Sequence, residues 1–174
     1  LIMWSLLIRI KRLHMINWMY YPLQSIDFGA SNLLTGITGS GKSTIVDAIQ
    51  ILMLGEVSGN FYNKSAASNK SDRSITTYLR GAYDGGEKRA GKGFSSYLAL
   101  DFFDDLQNES FCCGIVFDME ADEDRPDYSY FIADCPFRQE WALGGRRVAR
   151  SIEEFSSYAK QNHLPIHWQQ TNTA

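Results

Sequence analysis

Apolar residues follow two different periods along this chain. Ile8-Arg9-Ile10-Lys11 alternates apolar with basic residues, and Leu13, Met15 and Ile16 continue the extended pattern after a phase slip. Successive side chains of a strand point to opposite faces, so the pattern predicts a half-buried opening strand with a bulge at the slip. Trp18 to Tyr21 and Ile26 to Phe28 read as a second short strand pair, broken by Pro22. Gly29-Ala30-Ser31 then turns into a short buried strand ending in Asn32-Leu33-Leu34-Thr35. Beyond it the period becomes helical: Ile45, Val46, Ile49, Leu52 and Met53 share a face, and Gly55 stands where a C-cap would.

The run from Glu56 to Arg73 is polar and irregular, and a short helix fits Ile75 to Arg80, with Ile75, Tyr78 and Leu79 inward and Gly81 as its stop. Asp84 to Gly93 is a charged glycine-rich loop, read as a hairpin tip; Lys88, Arg89 and Lys92 are its candidates for a phosphate contact. Three alternating segments follow. Leu98, Leu100 and Phe102 share a face, as do Phe111, Cys113, Ile115, Phe117 and Met119, and then Tyr128, Tyr130 and Ile132. Acidic turns at Asp104-Asp105 and Asp122-Glu123-Asp124 separate them, which predicts an antiparallel meander. Ser151-Ile152-Glu153-Glu154 is a capping box that opens a helix with Ile152, Phe155 and Ala159 on one face, ending before Pro165. There is no internal repeat and no heptad run long enough for a coiled coil.

The pattern amounts to one α/β domain: a strand, loop and helix core over 8–55, a polar insertion over 56–95, the meander over 96–135 and a helix over 151–163. Composition agrees, since 174 residues with 44% hydrophobic and 13% aromatic content suffice for one real core. The net charge of −3 offers no global attraction for nucleic acid. The 3 cysteines, the adjacent Cys112-Cys113 and the distant Cys135, read as buried thiols of a reducing compartment. His14, His163 and His167 are scattered, so no zinc site is assigned. The apolar start Leu1 to Ile8 precedes rather than follows its basic residues, Arg9, Lys11 and Arg12, and is too short to span a bilayer. The expected location is cytoplasmic. The chain opens without methionine and stops without an obvious closing element, which suggests a fragment.

The chemistry concentrates in Gly36-Ile37-Thr38-Gly39-Ser40-Gly41-Lys42-Ser43-Thr44, which fits G-x-x-x-x-G-K-[ST], the phosphate-binding loop of nucleotide triphosphatases. Glycines let the backbone curl so that successive N–H groups point at phosphate oxygens. Lys42 would bring a compact positive charge, the Ser43 hydroxyl would ligate Mg²⁺, and the following helix would turn its positive end toward the anion. Gly36, Thr38, Gly39, Ser40, Gly41, Lys42, Ser43 and Thr44 are thus the expected ATP-binding residues, with Ser43 the expected metal ligand.

Three other motifs carry less. Asn69-Lys70-Ser71-Asp72 matches the guanine-reading N-K-x-D but follows no buried strand and no D-x-x-G segment. Tyr97-Leu98-Ala99-Leu100-Asp101 resembles an apolar run ending in a Mg²⁺-holding Asp, yet Phe102 stands where a water-activating Glu would, and the pattern reads as an ordinary edge of the meander. The acidic residues from Asp118 to Asp127 read as a solvated turn.

Ile10-Lys11-Arg12-Leu13-His14-Met15-Ile16-Asn17-Trp18, Ile26-Asp27-Phe28-Gly29 and Asn32 through Ile49 together resemble the N-terminal half of an SMC/SbcC-type ATPase head of the ABC class. Tyr62-Asn63-Lys64, Ser71-Asp72-Arg73-Ser74 and Tyr78-Leu79-Arg80-Gly81 look closest to its MukB-like branch, and within it to the ATPase subunit of Wadjet (JetC-type) plasmid-defence systems. The resemblance spans about residues 8 to 135. It implies ATP and Mg²⁺ as cofactors, a second ATPase head as partner in a homodimer, DNA bound through the assembled complex, and kleisin-like accessory subunits, with no membrane. It also implies that Arg73 lies near the γ-phosphate or DNA. The L-S-G-G segment and the Asp-Glu pair of that family are absent, so the resemblance implies an N-terminal lobe that binds ATP without hydrolysing it. A small P-loop kinase with Arg146, Arg147 and Arg150 in a lid is one alternative. A nucleotide-gated interaction module is the other.

Overall fold

The computed structural model describes residues 8–58, 74–83, 86–87, 89, 91–121 and 123–169. Strands β1 (Ile8–Trp18) and β2 (Tyr21–Asp27) form an antiparallel hairpin. Helices α1 (Lys42–Leu54) and α2 (Ile75–Arg80) follow, then the short paired strands β3 (Ala82–Tyr83) and β4 (Gly86–Glu87). The meander consists of β5 (Phe94–Asp104), β6 (Glu109–Met119) and β7 (Asp127–Ala133). Helices α3 (Gln139–Ala142) and α4 (Ile152–Gln161) and strand β8 (Ile166–Gln169) complete the described chain. The main sheet has six strands in the order β2-β1-β5-β6-β7-β8, every neighbouring pair antiparallel.

The bulge stands where the phase slip put it, with the β1–β5 register shifting between Ile10 and Arg12. Pro22 does not break the second strand. Strand β2 lies at the sheet edge, where a residue without an N–H is tolerated, and Pro22 falls between the ladder pairs Trp18–Tyr21 and Ile16–Leu23. Strand β5 is not an edge either: it sits between β1 and β6, and its burial is nearly continuous from Ser95 to Phe102.

Continuous burial means that both faces of the sheet are covered. On the first face, Leu13, Met15, Leu98, Leu100, Ile115 and Phe117 pack against Ile45, Ala48, Ile51 and Leu52 of α1 and Tyr78 and Leu79 of α2. On the second, Ile16, Tyr97, Ala99, Val116, Phe131 and Ala133 lie under Phe137, Trp141, Ala142 and Phe155. The alternation read as one buried face thus hides a second core. Ile132, expected inside, is 52% exposed because β7 turns it away from Phe131 and Ala133.

Helix α4 carries the predicted capping box, Ser151 and Glu154 bonding each other's backbone N–H groups. A second acceptor reinforces it: Asp118 Oδ2 takes the Ile152 N–H at 2.8 Å and Oδ1 takes the Ser95 hydroxyl at 2.7 Å. Asp118 is therefore no solvated turn residue. Burial holds its carboxyl above the usual range, with the two hydrogen bonds opposing that shift.

The second face also holds a polar chain. Asp101 accepts the Phe137 N–H at 2.7 Å and pairs with His14 Nε2 at 2.9 Å. His14 Nδ1 lies 2.9 Å from Ser25 Oγ, which also accepts from Gln139 Nε2 at 3.1 Å. Asp, His and Ser stand in the order of a nucleophile relay, and Gln139 takes one lone pair of the Ser25 oxygen. The network acts as a strut that ties β1, β2 and β5 to the start of α3.

Candidate functional site

Helix α1 is held from three directions. Trp18 Nε1 donates to the Thr44 carbonyl at 3.3 Å, and the Trp18 ring stacks on Tyr78 with centroids 4.8 Å apart and planes 12° from parallel. The Tyr78 hydroxyl donates to the Asp47 carboxylate, with both groups buried. Ala48 and Ile51 fill the space beneath. The beginning of the helix is thereby fixed against the sheet.

That beginning is the phosphate loop. Gly36, Gly39 and Gly41 have φ of 150°, 84° and 89°, and Gly41 is the N-cap of α1 without any side-chain cap. The Gly41 carbonyl accepts from the Ile45 N–H at 3.2 Å. The N–H groups of Lys42, Ser43 and Thr44 precede this bond and lack a helical acceptor, so donors and the positive helix end face one spot. Lys42 Nζ donates to the Gly36 carbonyl at 2.6 Å, the Ile37 carbonyl at 2.9 Å and Ser40 Oγ at 3.4 Å, so the loop wraps its own lysine. The Ser43 hydroxyl bonds no described residue. Gly36, Thr38, Gly39, Ser40 and Gly41 thus lie in the loop, and Lys42, Ser43 and Thr44 form the first turn of α1. Arg73 and the Asn69-to-Asp72 motif lie outside the described residues.

The segment before the loop departs from expectation. Asn32 to Thr35 is not a buried strand: residues 29–40 are exposed throughout, Leu33 at 86% and Ile37 at 84%. Gly29 and Asn32 close a local turn, with N–H to Oδ1 at 2.9 Å and Nδ2 to the carbonyl at 3.1 Å. From there the chain runs into the loop outside every ladder of the described sheets. The sequence identifies the segment as apolar, but burial requires a neighbour on which to pack.

Other candidate residues are placed away from phosphate. Arg89 is turned inward, donating to the carbonyls of Leu79 at 2.7 Å and Met19 at 3.1 Å and lying over Phe94, and burial lowers its pKa. Lys92 is exposed and Lys88 is outside the described residues. Asp101 belongs to the face opposite α1, which removes it as a Mg²⁺ ligand. Arg150 donates to the carbonyls of Glu140, Trp141 and Leu143 and stacks on Tyr158 at 4.0 Å. Its own carbonyl accepts from Tyr97 on the second face, so the sheet stands between this arginine and the loop. A kinase lid has no support there.

What the loop can do follows from its donor set. Free N–H groups at a helix start, an ammonium and an unengaged hydroxyl fit a polyphosphate with its Mg²⁺. Sequence reasoning missed the Trp18–Tyr78–Asp47 clamp, although Asp47, the one acid of α1 between Val46 and Ala48, was a legible sign of a buried partner. Residues 10–69 match the family described as the P-loop containing region of the AAA domain. No curated protein matches the chain. The matched residues run from β1 through the loop and α1, so this chain carries a P-loop region of the nucleotide-binding type. No helix among the described residues is long and apolar enough to cross a membrane.

Proposed function

We propose that the chain is the ATP-binding N-terminal lobe of an SMC/SbcC-type ATPase acting on DNA, in which ATP-driven engagement of two heads is coupled to DNA loading or translocation. The phosphate loop supports ATP binding. The observation that favours a divided head is the apolar approach to that loop, which lies outside the ladders of the described sheets and is exposed at Leu33 and Ile37. Unpaired apolar backbone of this kind invites an added strand. In a divided head, strands of the C-terminal half would pair there and bring the L-S-G-G segment and the Asp-Glu pair.

In this reading Gly36 to Thr44 hold the nucleotide, Ser43 reaches Mg²⁺, and Arg73 serves the γ-phosphate or DNA. The partners are a second head, DNA and kleisin-like subunits, as in the MukB-like and Wadjet ATPases, and the setting is cytoplasmic. When bound, ATP would supply the electrophilic phosphorus and Mg²⁺ the positive charge that neutralises the phosphate oxygens during transfer. This chain's residues bind and orient; the group that activates water belongs to the other half.

The full chain is expected to bind Mg-ATP weakly, to lose that binding in Lys42→Ala, and to show negligible turnover. Clear turnover abolished by Lys42→Ala would overturn the divided-head reading. Reading the gene past codon 174 tests it independently: heptads followed by L-S-G-G and an apolar run ending Asp-Glu are expected, and a stop codon close by would sink it.

A further inference from the structure

We propose that Tyr21 is a phosphate-contacting residue of this site, its hydroxyl donating to a phosphate oxygen held at the N-terminal end of α1. The inference rests on the nucleotide reading of the loop and adds a residue outside its motif.

Tyr21 opens β2, and its ring packs against the first core. Its hydroxyl reaches Gly41: a Cβ built there would lie 3.4 Å from Tyr21 Cζ and closer still to Oη. The Gly41 and Lys42 N–H groups flank that α-carbon, so the phenol ends beside two of the loop's donors. No described residue takes up the hydroxyl. An O–H with no partner among the described residues, at a spot otherwise made of N–H groups and an ammonium, suits an anion.

The placement is enforced. The end of β1 and the turn after it put two non-glycine residues in the left-handed region, Asn17 at φ 53° and Met19 at φ 48°. Such backbone persists only where its surroundings over-determine it. Here Met19 N–H bonds the Tyr78 carbonyl at 2.8 Å, Asn17 Nδ2 bonds the Ser95 carbonyl at 2.8 Å, and Arg89 holds the Met19 carbonyl. With Trp18 tied to Thr44, the turn that aims Tyr21 and the helix that presents the loop form one rigid unit.

The test uses the full chain and displacement of a fluorescent ATP analogue by Mg-ATP and by inorganic tripolyphosphate. Tyr21→Phe keeps the ring and removes only the hydroxyl. It is expected to weaken both competitors about tenfold, the loss of one hydrogen bond to a charged group, with the ligand-free melting temperature unchanged. Undiminished affinity for both would make Tyr21 a mere spacer and overturn the proposal. A loss for ATP but not for tripolyphosphate would also overturn it, moving the hydroxyl to sugar or base. If the unmutated chain binds neither competitor, and Lys42→Ala behaves the same, the nucleotide reading itself fails and the Tyr21 assignment with it.

Discussion

Gly114 shows how a single residue can carry a packing decision. It lies between Ala99 on β5 and Phe131 on β7, and an added Cβ would come 2.6 Å from Phe131 Cε1 and 2.8 Å from Cε2. Phe131 in turn stacks edge-on against Phe155, so the ring cannot retreat freely. Gly114→Ala is expected to cost about 2–3 kcal/mol by overpacking, and a further Phe131→Leu to recover part of it, both read from urea midpoints. Asp118 gives a pH prediction. Its folded carboxyl titrates above the unfolded one, so the fold binds the extra proton and stability falls as pH rises through that window. Asp118→Asn keeps an acceptor for Ile152 and removes the titration. Between about pH 3.9, the ordinary Asp value, and the raised folded value, the unmutated chain should lose stability relative to the variant. Parallel denaturation curves at all pH values would sink this.

Elements in this protein are joined by side chains that hold backbone carbonyls. Arg80, 5% exposed at the end of α2, donates to the carbonyls of Arg89, Glu120, Ala121 and Glu123, which binds the helix to the β6–β7 turn. Arg80→Met keeps the stem and removes these bonds. A loss of about 1–3 kcal/mol is expected, with faster hydrogen exchange at Ala121 and Glu123; unchanged exchange there would show that the turn stands without the arginine. At this scale much was legible. Helix α2 with Gly81 as its stop, the α4 capping box, the bulge in β1 and the three meander strands are local patterns that needed no partner to be read. Strand β8 and helix α3 were missed because both are too short to show a period. The run through Pro22 was missed because only position at the sheet edge excuses a missing N–H.

For the whole molecule, the six-stranded sheet separates two chemistries. One face carries α1 and the phosphate loop, the other the aromatic layer of Phe131, Phe137, Trp141 and Phe155 and the His14–Asp101 strut. The exposed approach to the loop stands apart from both. Replacing Leu33 and Ile37 together by Ser is expected to leave the melting temperature within about 2 °C, as for surface changes generally, and to lower self-association measured by light scattering. A large drop in melting temperature would mean that these residues pack in solution.

The opening strand with its bulge, the glycine loop running into α1, the P-loop motif of Gly36 to Thr44 and the meander were legible in the sequence alone, because each shows as a pattern among near neighbours. Which face each strand buries, that β5 is central, that Arg89 and Asp118 turn inward, and that Tyr21 meets Gly41 were decided only by the tertiary structure. Those outcomes depend on residues far apart in the chain, and a side chain's polarity does not say which distant backbone group will satisfy it.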